Sequence, residues 1–334
     1  MVVWVTVVIS KRGNKEDIME AILSIKNLNK SFGSKHIIKN VSFDVYAGEI
    51  FGFLGPNGSG KTTTIKMIMG FLFPDSGNIN ICGFDVKKDY EKAMNLVGGI
   101  VENPEMYKDM TGMQNLHMYG RLHDGVTAER IKEVVEIVGM QARANEKIKK
   151  YSLGMKQRIG VAQAILHRPR LLILDEPTNG LDPAGIKELR DILKKLAHEE
   201  NVAVLVSSHM LAEMELMCDR VAIIDNGKIL DVKPIEDILH MVANQETYRF
   251  ELDLSCFELA EEVIASAYGN EVINGSEQLE NGHIAINVVV DLETIPAINK
   301  LLVDNNIAVY AIGRIENSLE DAFIEITGGG ITIA

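Results

Sequence analysis

The sequence predicts an α/β fold: a mostly parallel β-sheet flanked by helices over about residues 21–235, followed by a small α+β unit with ferredoxin-like order. Three observations predict it. Short apolar runs alternate with helical spacing up to about Ile235, the pattern of repeated strand–helix units. The runs at 50–54 and 171–174 are almost wholly apolar, as befits strands covered on both faces. After Lys233-Pro234 the pattern changes to alternating strands and amphipathic helices in the order βαββαβ.

Composition bounds what such a chain can do. It has 334 residues, 46% hydrophobic and 24% charged, enough for two or three folding units. Its formal net charge is −13, from 34 basic and 47 acidic residues. That balance disfavours nucleic acid as a principal partner, because binding a phosphate backbone needs clustered Lys and Arg. Cys82, Cys218 and Cys256 lie far apart, which points to reduced packing thiols rather than disulfides or a zinc site. No stretch approaches the ~20 apolar residues of a membrane-spanning helix.

In chain order, residues 1–18 read as an extension outside the core. The apolar opening lacks the basic leading region and small-residue cleavage site of a signal peptide. Residues 21–28 read as a first strand. The apolar run at 50–54 then leads into Gly55-Pro56-Asn57-Gly58-Ser59-Gly60-Lys61-Thr62-Thr63, and a helix follows over 61–69. This fits G-x-x-x-x-G-K-[ST] in its strand-to-helix setting, the form of a phosphate-binding loop. Its glycines let backbone N–H groups wrap an anion, and the helix N-terminus adds positive potential. Lys61 can reach the terminal phosphates of a nucleoside triphosphate, and the Thr62 hydroxyl can ligate Mg²⁺.

The run at 171–174 ends in Asp175-Glu176. Two carboxylates at the end of a buried strand suit a Mg²⁺ ligand, Asp175, beside a group that orients or deprotonates water, Glu176. A strand at 202–206 runs into Ser207-Ser208-His209.

Further residues make the pattern specific. Tyr151-Ser152-Leu153-Gly154-Met155-Lys156-Gln157-Arg158 precedes a helical stretch, and Asp175-Glu176-Pro177-Thr178-Asn179-Gly180-Leu181-Asp182 follows the buried strand. The first resembles the signature motif of ABC-type ATPases, and the second resembles their Walker B segment running into the D-loop. His209 is similar to their switch histidine, and Phe32 to the aromatic residue that stacks adenine. Glu102 stands where most of the family has glutamine, and Leu153 replaces a signature glycine.

The resemblance implies a P-loop NTPase fold of the ABC nucleotide-binding type over 19–235, with ATP and Mg²⁺ as cofactors. It implies catalysis by Lys61, Glu176 and His209. Nucleotide contacts would come from Phe32, Gly55 through Thr63, Ser152, Gly154 and Asp182, and metal contacts from Thr62, Asp175 and Glu102. Two copies are expected to close head to tail over two ATPs, the signature motif of one covering the phosphates held by the other. An integral-membrane permease is the expected further partner, meeting the surface near residues 103–113 at the cytoplasmic face of the membrane. The segments around Glu102 and Ser152 resemble the bacitracin and lantibiotic export branch. A soluble ATPase clamping ribosomes or DNA remains as an alternative, as does a regulator that binds ATP without hydrolysing it.

Residues 236–327 carry no catalytic cluster. Strands are expected at 248–254, 283–290 and 307–312, and helices at 257–268 and 295–302. A last helix is expected after Ser318-Leu319-Glu320-Asp321, a capping-box pattern ahead of Phe323 and Ile324. A tail is expected over 328–334, opening with three glycines. The unit resembles the C-terminal extension of many exporter subunits.

Overall fold

The computed structural model describes residues 7–9, 18–238, 247–279 and 282–315. Its contacts fall into two units that meet in sequence between Ile235 and Glu236.

The first unit is built on a six-stranded sheet. Strands β4 (Ile50–Leu54), β7 (Val97–Ile100), β8 (Leu171–Asp175), β9 (Ala203–Ser208) and β10 (Arg220–Asp225) run parallel, and β11 (Lys228–Pro234) adds an antiparallel edge. Their order is β11-β10-β4-β9-β8-β7. Every residue of β4, β8 and β9 is buried, which explains the lack of alternation in their sequences. Each buried Leu, Ile or Phe contributes about 1.5–3 kcal/mol of hydrophobic stabilisation. Helices α1 (Lys61–Ile68), α2 (Tyr90–Met94), α5 (Leu153–Ala164), α6 (Pro183–His198) and α7 (Leu211–Met217) connect or pack against these strands.

A second, antiparallel sheet was not foreseen from the sequence. It joins β1 (Val7–Ile9), β2 (Ile18–Phe32), β3 (Lys35–Tyr46), β5 (Ser76–Ile81) and β6 (Phe84–Asp85). The first core strand therefore runs well beyond 21–28. The register of β2 against β3 shifts between Ile25 and Leu28, where Asn27 takes a left-handed φ of 52°. Asparagine tolerates that conformation, so the strand bulges and continues instead of stopping. In the helical part of the unit, α3 (Gly112–Gly120) begins at a full capping box formed by Thr111 and Gln114. Helix α4 (Ala128–Ile137) is capped by the Thr127 hydroxyl.

The second unit contains β12 (Thr247–Asp253), α8 (Phe257–Tyr268), β13 (Ile273–Gln278), β14 (His283–Val289), α9 (Ile295–Asp304) and β15 (Val309–Ile315). Its antiparallel sheet has the order β13-β14-β12-β15. This is the expected βαββαβ ferredoxin-like arrangement. Tyr248, Phe250, Leu252, Ile284, Ile286 and Val288 form its core with the apolar faces of both helices. The last described strand starts at Val309 rather than at 307. The cause is a helix stop: Asn306 has a φ of 58°, its N–H donates to Val303 O, and Ile307 N–H donates to Leu302 O. Ile307 is thus a buried C-terminal anchor of α9. The helix expected after Ser318 lies outside the described residues, as does the tail.

The cysteines are free thiols, and burial pushes the Cys218 thiol far above its ordinary pKa.

Candidate functional site

The parallel register sets the site. Leu54 lies level with Ser208, Ser207 with Asp175, and Leu174 with Ile100. The loop from Gly55, then His209, Glu176 and Glu102 therefore leave the same carboxyl edge of four neighbouring strands, β4-β9-β8-β7. That edge is where ligands bind in open α/β sheets.

The loop from Gly55 to Gly60 is shaped by contacts no larger residue would permit. A Cβ on Gly55 would fall 2.1 Å from Ile224 O, and one on Gly60 would fall 2.5 Å from Ile38 Cδ1. Gly60 also holds a φ of 113° and caps α1 with no side-chain hydrogen bond, and the first turn of α1 carries no acidic residue. Thr64 N–H is the first to bond back, to Gly60 O at 2.9 Å, so the N–H groups of Lys61, Thr62 and Thr63 point out of the helix end. Ser59 Oγ is buried with no hydrogen-bond partner among the described residues. These orphan donors fit a phosphate group.

Lys61 is 5% exposed. Its Nζ donates to Gly55 O at 2.7 Å and lies 3.4 Å from Glu176 Oε1. The other Glu176 oxygen, Oε2, accepts from His209 Nδ1 at 2.8 Å. The three residues expected to be catalytic thus form one cluster. Ser207, a hydroxyl buried at the end of β9, ties it together: Oγ donates to Asp175 Oδ1 at 2.6 Å and accepts from Glu176 N–H at 3.0 Å. Sequence reasoning missed Ser207, although a serine pair closing an apolar strand was a usable signal. Glu176 sits at a φ of 49° and Glu102 at 67°. Such backbone strain in non-glycine residues clusters at functional positions.

Other expected residues lie elsewhere. Phe32 is half exposed at the tip of the β2–β3 hairpin, paired with Lys35, and Lys30 Nζ stands 5.6 Å from its ring centroid. Two residues along β2, Lys30 pairs with Ile38, the residue against Gly60. Ser152 caps α5, its Oγ accepting from Met155 N–H at 3.2 Å, with Gly154 in the first turn. Asp182 caps α6 by accepting from Gly185 N–H. Neither cap has a hydrogen bond to the loop at Gly55–Thr63 among the described residues. Glu102 is drawn to Lys66 of α1, Oε1 to Nζ at 3.1 Å.

A family model described as ABC transporter matches residues 38–179. The ABC transporter ATP-binding protein YhcH of Bacillus subtilis is 46% identical over 93% of this chain and 97% of its own length. This chain belongs to the ABC transporter ATP-binding proteins. It is accordingly an ATP-binding P-loop ATPase. The bacitracin transport ATP-binding protein BcrA of Bacillus licheniformis is 40% identical over 93% of this chain and 99% of its own length. The lantibiotic transport ATP-binding protein SrtF of Streptococcus pyogenes is 37% identical over 63% of this chain and 89% of its own. Among solved structures, an ATP-binding subunit of an ABC transporter superposes with a TM-score of 0.59 at 29% identity, covering 66% of this chain and 93% of that one. A nucleotide-free ATP-binding cassette, at 23% identity and TM-score 0.60 over 67% of this chain and 95% of its own, shares the fold. The two-carboxylate edge and buried lysine lie where this ABC ATPase has its phosphate-binding loop.

Proposed function

We propose that this ATPase works as the motor subunit of an export complex, pairing with a second copy and driving a separate membrane permease. The observation that carries the reading is the cluster of Lys61, Glu176 and His209 at one sheet edge, opposite a helix end with orphan N–H groups.

In the proposed cycle Lys61 leaves Gly55 O for the β- and γ-phosphates, and this releases Glu176. Glu176 then orients or deprotonates the attacking water, and His209, hydrogen-bonded to it, holds the carboxylate toward the γ-phosphate. Thr62 and Asp175 supply the oxygen donors suited to Mg²⁺. When bound, that ion neutralises charge on the phosphates. Phe32 stacks the adenine.

Among the described residues Ser152 and Asp182 bond within their own helix ends and not to the phosphate loop, which supports closure of Ser152 and Gly154 over the ATP of a second copy with Asp182 at the seam. ATP bridges two positive helix ends, and its hydrolysis removes the bridge. The permease is expected at a cavity of about 220 Å³ lined by Met69, Phe71, Asn103, Pro104 and Tyr119. Phe71 and Tyr107 are exposed there or beside it. No helix among the described residues is long and apolar enough to cross a membrane, so the pore is assigned to another chain, with this one peripheral on the cytoplasmic face. Similarity to BcrA and SrtF supports antimicrobial peptides as cargo.

The test is purification of the tagged chain from detergent-solubilised membranes, with mass spectrometry of stoichiometric companions. A multi-spanning membrane protein is expected. Recovery with ribosomes from the soluble fraction would overturn the transporter reading.

A further inference from the structure

The carboxyl edge of the sheet gathers Glu102, Asp175 and Glu176 around a site that takes a triphosphate, so negative charge needs local compensation there. Helix α1 provides it twice. Lys61 Nζ stands 3.4 Å from Glu176, and Lys66 Nζ stands 3.1 Å from Glu102. The two lysines are five residues apart, about 7.5 Å along the helix. The β7–β8 pairing ends with Ile100 level with Leu174, and Glu102 and Glu176 each follow two residues later, both held at positive φ. The two glutamates thus lie just past the ends of adjacent strands, each facing a lysine of the same helix.

We infer that Lys66 is a positioning residue for ATP binding. It neutralises Glu102 and fixes its carboxylate, so that a charged side chain can stand at this edge without repelling the phosphates. This rests on the reading of the edge as the ATP site. Stability does not account for the pair: the Lys66 and Glu102 side chains are 41% and 67% exposed, and ion pairs so exposed contribute little to folding. Among the described residues, Lys66 is the ion-pair partner of Glu102. Without it, a full negative charge would face the incoming nucleotide, with only solvent to screen it.

The test is equilibrium binding of trinitrophenyl-ATP with Mg²⁺ to the full chain and its variants. Lys66→Met is expected to weaken binding about tenfold, with an unchanged melting temperature. Lys66→Gln should repeat the loss and Lys66→Arg should restore binding. In the Glu102→Gln background, Lys66→Met should change affinity less than about twofold, because no charge is left to neutralise. The tenfold loss should shrink on raising salt from about 0.05 M to about 0.5 M. Wild-type affinity in Lys66→Met, or an equal loss with and without Glu102, would overturn the inference alone. Failure of the wild-type chain to bind the probe would overturn it together with the ATP-site reading.

Discussion

At the scale of single residues the proposed hydrolysis depends on Glu176. Its two oxygens face Lys61 and His209, while its backbone is pinned to Ser207 in a strained φ. Replacing the carboxylate with an amide keeps the size and removes the base. Glu176→Gln is expected to lower phosphate release by at least about 10²-fold while ATP binding, measured with a fluorescent analogue, stays within a few fold. Hydrolysis at the wild-type rate would remove Glu176 from its assigned role. The phosphate-loop motif and Asp175-Glu176 were legible in the sequence because of their spacing beside strands and a helix, whereas His209 was singled out only through the family resemblance. The Lys66–Glu102 pair and the Ser207 bridge were not legible. They join residues 36 and 31 or 32 positions apart; sheet register brings Ser207 to Asp175 and Glu176, and the packing of α1 on the sheet brings Lys66 to Glu102.

Among elements, the phosphate loop is supported from behind by the β10–β11 hairpin. Gly227 N–H donates to Ser59 O, and Gly227 O accepts from Lys39 N–H. Gly227 has a φ of 78°, and a Cβ there would lie 1.8 Å from Ile37 O. Gly227→Ala is therefore expected to cost about 2–3 kcal/mol in denaturant unfolding and to weaken ATP binding as well. Equal stability would show that the hairpin yields freely.

A second element-scale device joins the α3–α4 connection to β7. The rings of His123 and His167 stack at 4.2 Å, and His167 Nε2 meets Val97 O at 3.0 Å. His167 Nδ1 is buried without a hydrogen-bond partner among the described residues. Burial, then His123 and Arg130, hold the His167 pKa below its ordinary value. Because the folded-state pKa is lowered, the unfolded chain takes up the proton first. Stability is full above about pH 6.5 and falls as pH drops through the lowered folded value. His167→Gln, which keeps a donor for Val97 O, should flatten the decline in melting temperature between about pH 7 and pH 5. An unchanged decline would show that other groups cause it. Periodicity made the buried strands readable, but β13 was not locatable from sequence. Its residues Ile273 to Gln278 are mostly exposed and lack the alternation that marks a half-buried strand.

At the scale of the whole molecule, the sequence carries one phosphate-loop motif and one signature-like motif, and the helix that the second opens is capped by Ser152 with no hydrogen bond to the phosphate loop among the described residues. The order of motifs made the ABC ATP-binding domain readable from sequence, and the two-copy nucleotide sandwich is proposed from it. The antiparallel second sheet was less so, because its long β2 is interrupted by a bulge at Asn27 that resembles a strand end. The central claim is that ATP joins two copies, and its most direct test is light scattering on the Glu176→Gln chain during size-exclusion chromatography with Mg²⁺ and ATP. The account predicts a shift from the 36.9 kDa chain to twice that mass, reversed when ATP is withdrawn. A single-chain mass in saturating ATP would contradict it.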